Sequence, residues 1–114
     1  MTIWELIEDA LEGLNLPMAE NYFITETGEE LPNEYMAYFL ITSLPEQHAD
    51  DQEKSRNYHV QINYYNRDGL AGMPDISDAM TTAGFTCGPT RELSYNQETR
   101  HFGLALEFWY YEEV

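Results

Sequence analysis

Basic residues are scarce in this chain of 114 residues: five lysines and arginines stand against 21 aspartates and glutamates, a formal net charge of −16 at pH 7. Such an excess repels phosphate backbones and anionic membranes, which excludes a protein that grips nucleic acid through a basic groove. Cysteine is nearly absent. Cys87 stands alone, so one chain can form no internal disulfide and no zinc site built on two or four thiolates. A reducing compartment is expected. No apolar run approaches the roughly 20 residues of a spanning helix, and residues 1–9 are acidic and amphipathic rather than basic then apolar. Neither a membrane span nor a secretory signal is therefore expected. Repeats and low-complexity tracts are missing too, and the length is that of one compact domain, residues 1–114.

What the chain does hold is buryable surface. Five phenylalanines, nine tyrosines and two tryptophans are far more than a disordered acidic tail carries, so the charge sits on a folded body. That charge is uneven. Residues 1–53 have 13 acids and no lysine or arginine, whereas residues 54–114 have eight acids and all five basic groups. The plain reading is a solvated face; the sharper one is an acidic surface turned toward DNA or a basic protein partner.

Ile3, Ile7, Ala10, Leu11 and Leu14 recur at helical spacing, with Glu5, Glu8, Asp9 and Glu12 on the other side. Thr2 and Glu5 form a T-x-x-E capping box, and Gly13 or Asn15 followed by Pro17 ends the segment. A second amphipathic helix is expected from Pro74, Asp75, Ile76, Ala79, Met80 and Ala83, with Pro74 in its first turn, Gly84 as a left-handed cap and Phe85 folding back onto Met80.

Between and after these the pattern is β. Residues 21–25 suggest a short strand, and residues 27–30 a polar turn. Residues 35–42 (YMAYFLIT) are apolar on both alternating faces, as in a central strand covered on two sides. Pro45 should weaken pairing beyond Leu44, and residues 47–54, with Asp50, Asp51 and Glu53, read as a long exposed acidic loop. Tyr58, Val60, Ile62 and Tyr64 alternate with His59, Gln61 and Asn63, a half-buried strand closed by the turn residues 66–69 (NRDG). Residues 90–94 and 100–111 form a last hairpin about residues 95–98, with Phe102, Leu104, Leu106, Phe108 and Tyr110 on one face.

This order implies an α+β fold, a mostly antiparallel sheet with two α-helices packed on one face. Two helices cover one face only. The other, carrying Tyr38, His59, Gln61, Asn63, Trp109 and Tyr111 in this register, mixes aromatic and polar groups and is expected to meet another subunit.

Catalytic signatures are wanting. Cys87, in TCGP beside a turn, reads as a small inert apolar residue. His48, His59 and His101 are dispersed with no HExxH or HxH spacing, although His59 and His101 could face each other across paired strands. Glu46, Asp50, Asp51 and Glu53 have the residue types of a calcium cluster without its D-x-D-x-D-G spacing. Gly69 and Gly72 lack the GxxxxGK of a phosphate loop. No cofactor and no metal are expected, and the chain reads as a non-enzyme.

The opening helix TIWELIEDALEGLNLP, the strand LPNEYMAYFLITS, the acidic loop, the strand RNYHVQINYYNRDG, and DISDAMTTAGF before a final hairpin together resemble the small tail-terminator, or tail-completion, proteins of long-tailed, siphovirus-like bacteriophages and prophages. The likeness spans nearly the whole chain. It implies a structural virion protein that forms a hexameric ring, caps the tail tube and joins it to the head connector. Its partners would be its own copies, the tail tube protein and the head-tail connector protein, with no membrane and no tight nucleic-acid binding. Its location would be the virion tail, and the host cytoplasm before assembly. Two other classes compete: an acidic DNA mimic that occupies the groove of a DNA-binding protein, and a small enzyme or ligand carrier using the concavity of the sheet, for which strand tyrosines, histidines and asparagines supply polar groups but no oriented acid–base pair.

Overall fold

A computed structural model describes residues 2–20, 31–49 and 52–113 of the chain. The first helix, α1 (Ile3–Leu11), starts at the box read from the sequence. The Thr2 hydroxyl accepts the Glu5 amide at 3.2 Å, and the Glu5 carboxylate accepts the Thr2 amide at 2.9 Å. These bonds hold the Glu5 carboxyl below the usual carboxylate range. Ile3, Ile7 and Leu11 form its buried stripe. A 3-10 turn (Glu12–Leu14) follows and ends at Asn15, whose φ of 57° is one that asparagine tolerates.

The Pro17 carbonyl then accepts the Met36 amide at 2.9 Å, which steers β1 (Met18–Glu20) alongside β2 (Glu34–Ala49). β3 (Gln52–Asn66), β4 (Thr86–Asn96) and β5 (His101–Glu113) complete a five-stranded sheet in the order β1-β2-β3-β5-β4. The β1–β2 pair is parallel and every other pair antiparallel. The turn at residues 66–69 is held by the Asn66 side chain, which accepts the Asp68 amide at 2.8 Å, and by Gly69 at a φ of 99°.

Asp75 caps α2 (Ile76–Thr82) by accepting the Asp78 amide at 2.9 Å. Pro74 thus lies just outside the helix rather than in its first turn, because the carboxylate is the better cap. Gly84, at a φ of 101°, ends the helix as expected, and the Phe85 amide reaches back to the Met80 carbonyl at 3.0 Å.

Both helices pack on one face of the sheet. Ile3, Ile7, Leu11, Ile76 and Met80 meet Met36, Tyr38, Val60, Ile62, Tyr64, Leu106 and Phe108 in a single buried cluster. The molecule is an α+β protein of two helices on one sheet, as the order of elements implied. Its extents of 53 × 30 × 25 Å and radius of gyration of 15.7 Å exceed the roughly 13 Å of a compact chain this long. The length comes from β2 and β3, of 16 and 15 residues, since a strand rises about 3.3 Å per residue.

Several expectations from the sequence need correction. The strand at residues 21–25 and the turn at residues 27–30 lie outside the described residues; the short strand observed, β1, precedes them. Residues 47–54 are not a long loop. β2 runs to Ala49 and β3 begins at Gln52, with Pro45 opposite Arg56 and His48 opposite Glu53. Register shifts after Pro45 and Gln47 absorb the missing proline amide, and a hairpin ladder needs no apolar side chains to close its backbone bonds. Glu53 therefore belongs to a strand, and Asp50 and Asp51 lie outside the described residues.

β2 is an inner strand, as expected, with β1 on one side and β3 on the other, and among the described residues β1 pairs with it across Met36, Ala37 and Tyr38. Tyr35, Met36, Ala37 and Tyr38 are all buried, but Ile41 is 46% exposed. β4 begins at Thr86, four residues earlier than expected, with Pro89 in the irregular stretch between Cys87 and Thr90 of an edge strand, where a missing amide is tolerated. Cys87 is accordingly an exposed residue within a strand rather than one beside a turn.

Candidate interaction face of the sheet

Strand alternation sends His59, Gln61, Asn63 and Tyr65 of β3 away from the helices, opposite Trp109, Glu107, Ala105 and Gly103 of β5. Tyr111 follows Trp109 on the same side and is 51% exposed. Five of the six residues expected on this open face are therefore there. Tyr38 is the exception. It lies opposite Ile62 in the register, is buried under α1, and donates its hydroxyl proton to Glu8. Its strand is apolar on both faces, so alternation could not say which parity faces the helices.

Trp109 organises one end of the face. Its ring stacks on His59 with centroids 4.6 Å apart and planes 10° from parallel. His59 Nε2 lies 2.7 Å from Glu107 Oε1, and both side chains are 21% exposed. On its other flank the indole covers Gly88 of β4, so tightly that a side chain there would collide with the ring and come within 2.9 Å of the Glu107 carbonyl. His59 with Glu107 is an oriented acid–base pair, which the sequence reading did not foresee. The hydrogen bonds of the described residues bring no serine, threonine or cysteine to it.

The rest of the face is a relay of partnered groups. Gln61 Nε2 donates to Asn63 Oδ1 at 2.7 Å, and Asn63 Nδ2 donates to the Tyr65 hydroxyl at 3.1 Å. Tyr65 stacks on Tyr35 at 4.9 Å, and His101 meets Tyr35 edge-on at 5.1 Å. Burial, and then the neighbouring Tyr65, raise the Tyr35 hydroxyl above its usual value. Gly103 sits under Tyr65 and Leu93, each 3.1 Å from where a side chain would begin. His101 is 1% exposed; its Nε2 must donate to the Pro32 carbonyl at 2.8 Å, and its buried Nδ1 has no hydrogen-bond partner among the described residues. His59 and His101 do not face each other: the first pairs with Trp109 and the second with Asn96, at opposite ends of β5. Tyr35, Tyr65, Gly88, Gly103 and Glu107 were not singled out from the sequence. Alternation from the chosen strands held the signal for Tyr65 and Glu107, while nothing local marks the two glycines as seats for neighbouring rings.

On this face Glu107 is hydrogen-bonded to His59, and Arg91 stands in register with Ala105 on the same side. The helix side instead carries exposed Glu5, Glu8, Asp9, Glu12, Asp75 and Asp78. The open face thus offers rings and already-partnered polar groups, which lose less on leaving water than unpartnered ones. Among the described residues no group of three histidine, cysteine or carboxylate side chains could hold a metal ion, and no helix is long and apolar enough to cross a membrane.

No family model matches the chain, and no curated protein matches it.

Proposed function

We propose that the chain is a structural subunit that assembles with its own copies into a ring, caps a phage tail tube and joins it to the head connector. The observation that carries this reading is the open sheet face, where Trp109, His59, Gln61, Asn63 and Tyr111 present rings and internally bonded polar groups. Such a patch suits a packed protein contact better than solvent. A closed ring of about six copies needs a head-to-tail contact between two different patches, and the asymmetry between the acidic helix side and the sheet side provides two. An anionic ring lets DNA pass through its lumen without sticking, because like charges repel and no counterions are released. In this reading the partners are further copies, the tail tube protein and the head-tail connector protein. The protein acts in the virion tail after a period in the host cytoplasm, catalyses nothing, and binds neither membranes nor nucleic acid tightly.

The row of exposed acids along α1 and the 3-10 turn after it, Glu5, Glu8, Asp9 and Glu12, favours a second reading, a DNA mimic acting as a monomer or dimer against a DNA-binding protein. Self-association separates the two. Light scattering on the pure protein, repeated with tail tubes from a strain lacking their terminator, should show rings near six copies or capped tubes. Failure of both, together with competition against DNA for a basic DNA-groove protein, overturns the tail reading.

A further inference from the structure

We infer that the cleft between the start of α1 and the β1–β2 edge is a receptor for one cationic side chain, an arginine or lysine presented by a basic segment of a partner protein. The cleft, of about 270 Å³, is lined by Trp4, Glu20, Tyr38, Phe39 and Leu40. It lies below the roughly 300–1,000 Å³ of sites for small-molecule ligands, a size that suits one long side chain rather than a cofactor.

The chemistry of the walls selects a cation. Trp4, which is partly exposed, supplies the aromatic wall, since Tyr38 is buried and Phe39 lies opposite Gln61 on the other face of the sheet; a guanidinium or ammonium group is drawn to an aromatic face by the ring quadrupole. Glu20, exposed at the end of β1, supplies a carboxylate at the rim. Glu8 adds a second negative charge from α1, bonded to the Tyr38 hydroxyl. Both carboxylates are near enough to act on that hydroxyl, which is raised above its ordinary value chiefly by burial, then by its bond to Glu8 and the charges of Glu8 and Glu20. None of the lining residues is basic, and residues 1–53 contain no lysine or arginine at all. An anionic or neutral apolar occupant would leave these carboxylates uncompensated; an arginine can stack its plane on a ring while its N–H groups meet a carboxylate. The aliphatic stem would lie against Leu40, which packs on the core. This inference does not depend on ring formation, since every lining residue belongs to one subunit.

The test uses the whole protein and three short blocked peptides, Gly-Arg-Gly, the same peptide with neutral citrulline for arginine, and Gly-Glu-Gly. The readout is the indole N–H signal of Trp4 in a 15N-correlated NMR spectrum, with that of Trp109 as internal control. The arginine peptide should move the Trp4 signal saturably and bind at least about two-fold more tightly than the citrulline peptide, the least that one exposed cation–π contact supplies. Glu20→Gln, at an exposed position that leaves the fold intact, should weaken arginine binding at least about three-fold, and added salt should weaken it in the wild type. The glutamate peptide should leave Trp4 unmoved. Equal shifts from the citrulline peptide, an unmoved Trp4 signal, or unchanged binding in Glu20→Gln would each overturn the inference, whatever the assembly experiments show.

Discussion

The indole of Trp109 occupies the space that a side chain at Gly88 would need, so the ring lies across two neighbouring strands with His59 stacked beside it. One missing β-carbon on an edge strand therefore sets the position of the largest ring on the open face. Gly88→Ala should displace the indole and destabilise the fold by about 1–3 kcal/mol, the usual cost of forcing atoms into a filled site. Denaturant titration gives the energy, and near-ultraviolet circular dichroism reports the ring. A variant as stable as the wild type with an unchanged tryptophan signal would show that the ring does not sit there.

Gln61→Arg addresses the proposed subunit contact. The new guanidinium can still donate to Asn63 Oδ1, as the Gln61 amide does, and stays solvated in a lone subunit. In a packed interface it must be desolvated or push the neighbour away. Self-association or tube capping should be lost while the far-ultraviolet spectrum and melting temperature stay near wild type. Assembly that survives the substitution places the contact elsewhere.

At the start of α1, Thr2→Ala removes one member of the reciprocal cap with Glu5, at an expected cost of about 1 kcal/mol. The Glu5 carboxyl is held below its ordinary value, so its contribution is present above the usual carboxylate range and fades as pH falls through its lowered value. The difference between wild type and Thr2→Ala should accordingly shrink in acid. A constant difference down to the acid transition would remove the carboxylate from the account.

Alkali should unfold the protein through two tyrosines. Burial, and then the bond to Glu34, push the Tyr64 hydroxyl up to about 12 from an ordinary 10.0, and Tyr38 is raised by burial and by Glu8. Because the folded state holds these protons more tightly than the unfolded one, stability is complete below about pH 10 and declines as pH climbs through about 12. Phenolate absorbance and far-ultraviolet circular dichroism, followed together, should show the last tyrosines ionising as the sheet signal disappears. Ionisation of all nine tyrosines with the sheet intact would contradict this.

Cys87, exposed on the edge strand β4, should react with a maleimide at the rate of a free thiol peptide in the folded protein. Cys87→Ala should change stability by no more than about 0.5 kcal/mol, as for other surface positions. Slow labelling reversed by denaturant would mean that the thiol is covered in solution.

Local rules determined much of this molecule from the sequence alone. The Thr2–Glu5 box, the Asn15 and Gly84 stops, and the Asn66–Gly69 turn are interactions between residues a few positions apart, and each recurs in the structure. Alternation likewise placed Val60, Ile62 and Tyr64 against the helices and His59, Gln61 and Asn63 away from them, since the pleat has a period of two. The tertiary structure decided the rest. Which face of the doubly apolar strand around Tyr38 meets α1 depends on register with β3, which no local pattern encodes. Residues 47–54 look like a loop by composition, yet the ladder of β2 and β3 extends through Ala49 and Gln52 because backbone amides pair whatever side chains they carry. The meeting of Trp109 with His59 and Gly88, and of His59 with Glu107, joins residues on three strands. Such encounters are set by how the strands align across the sheet, and that alignment is a property of the whole chain packed around one core.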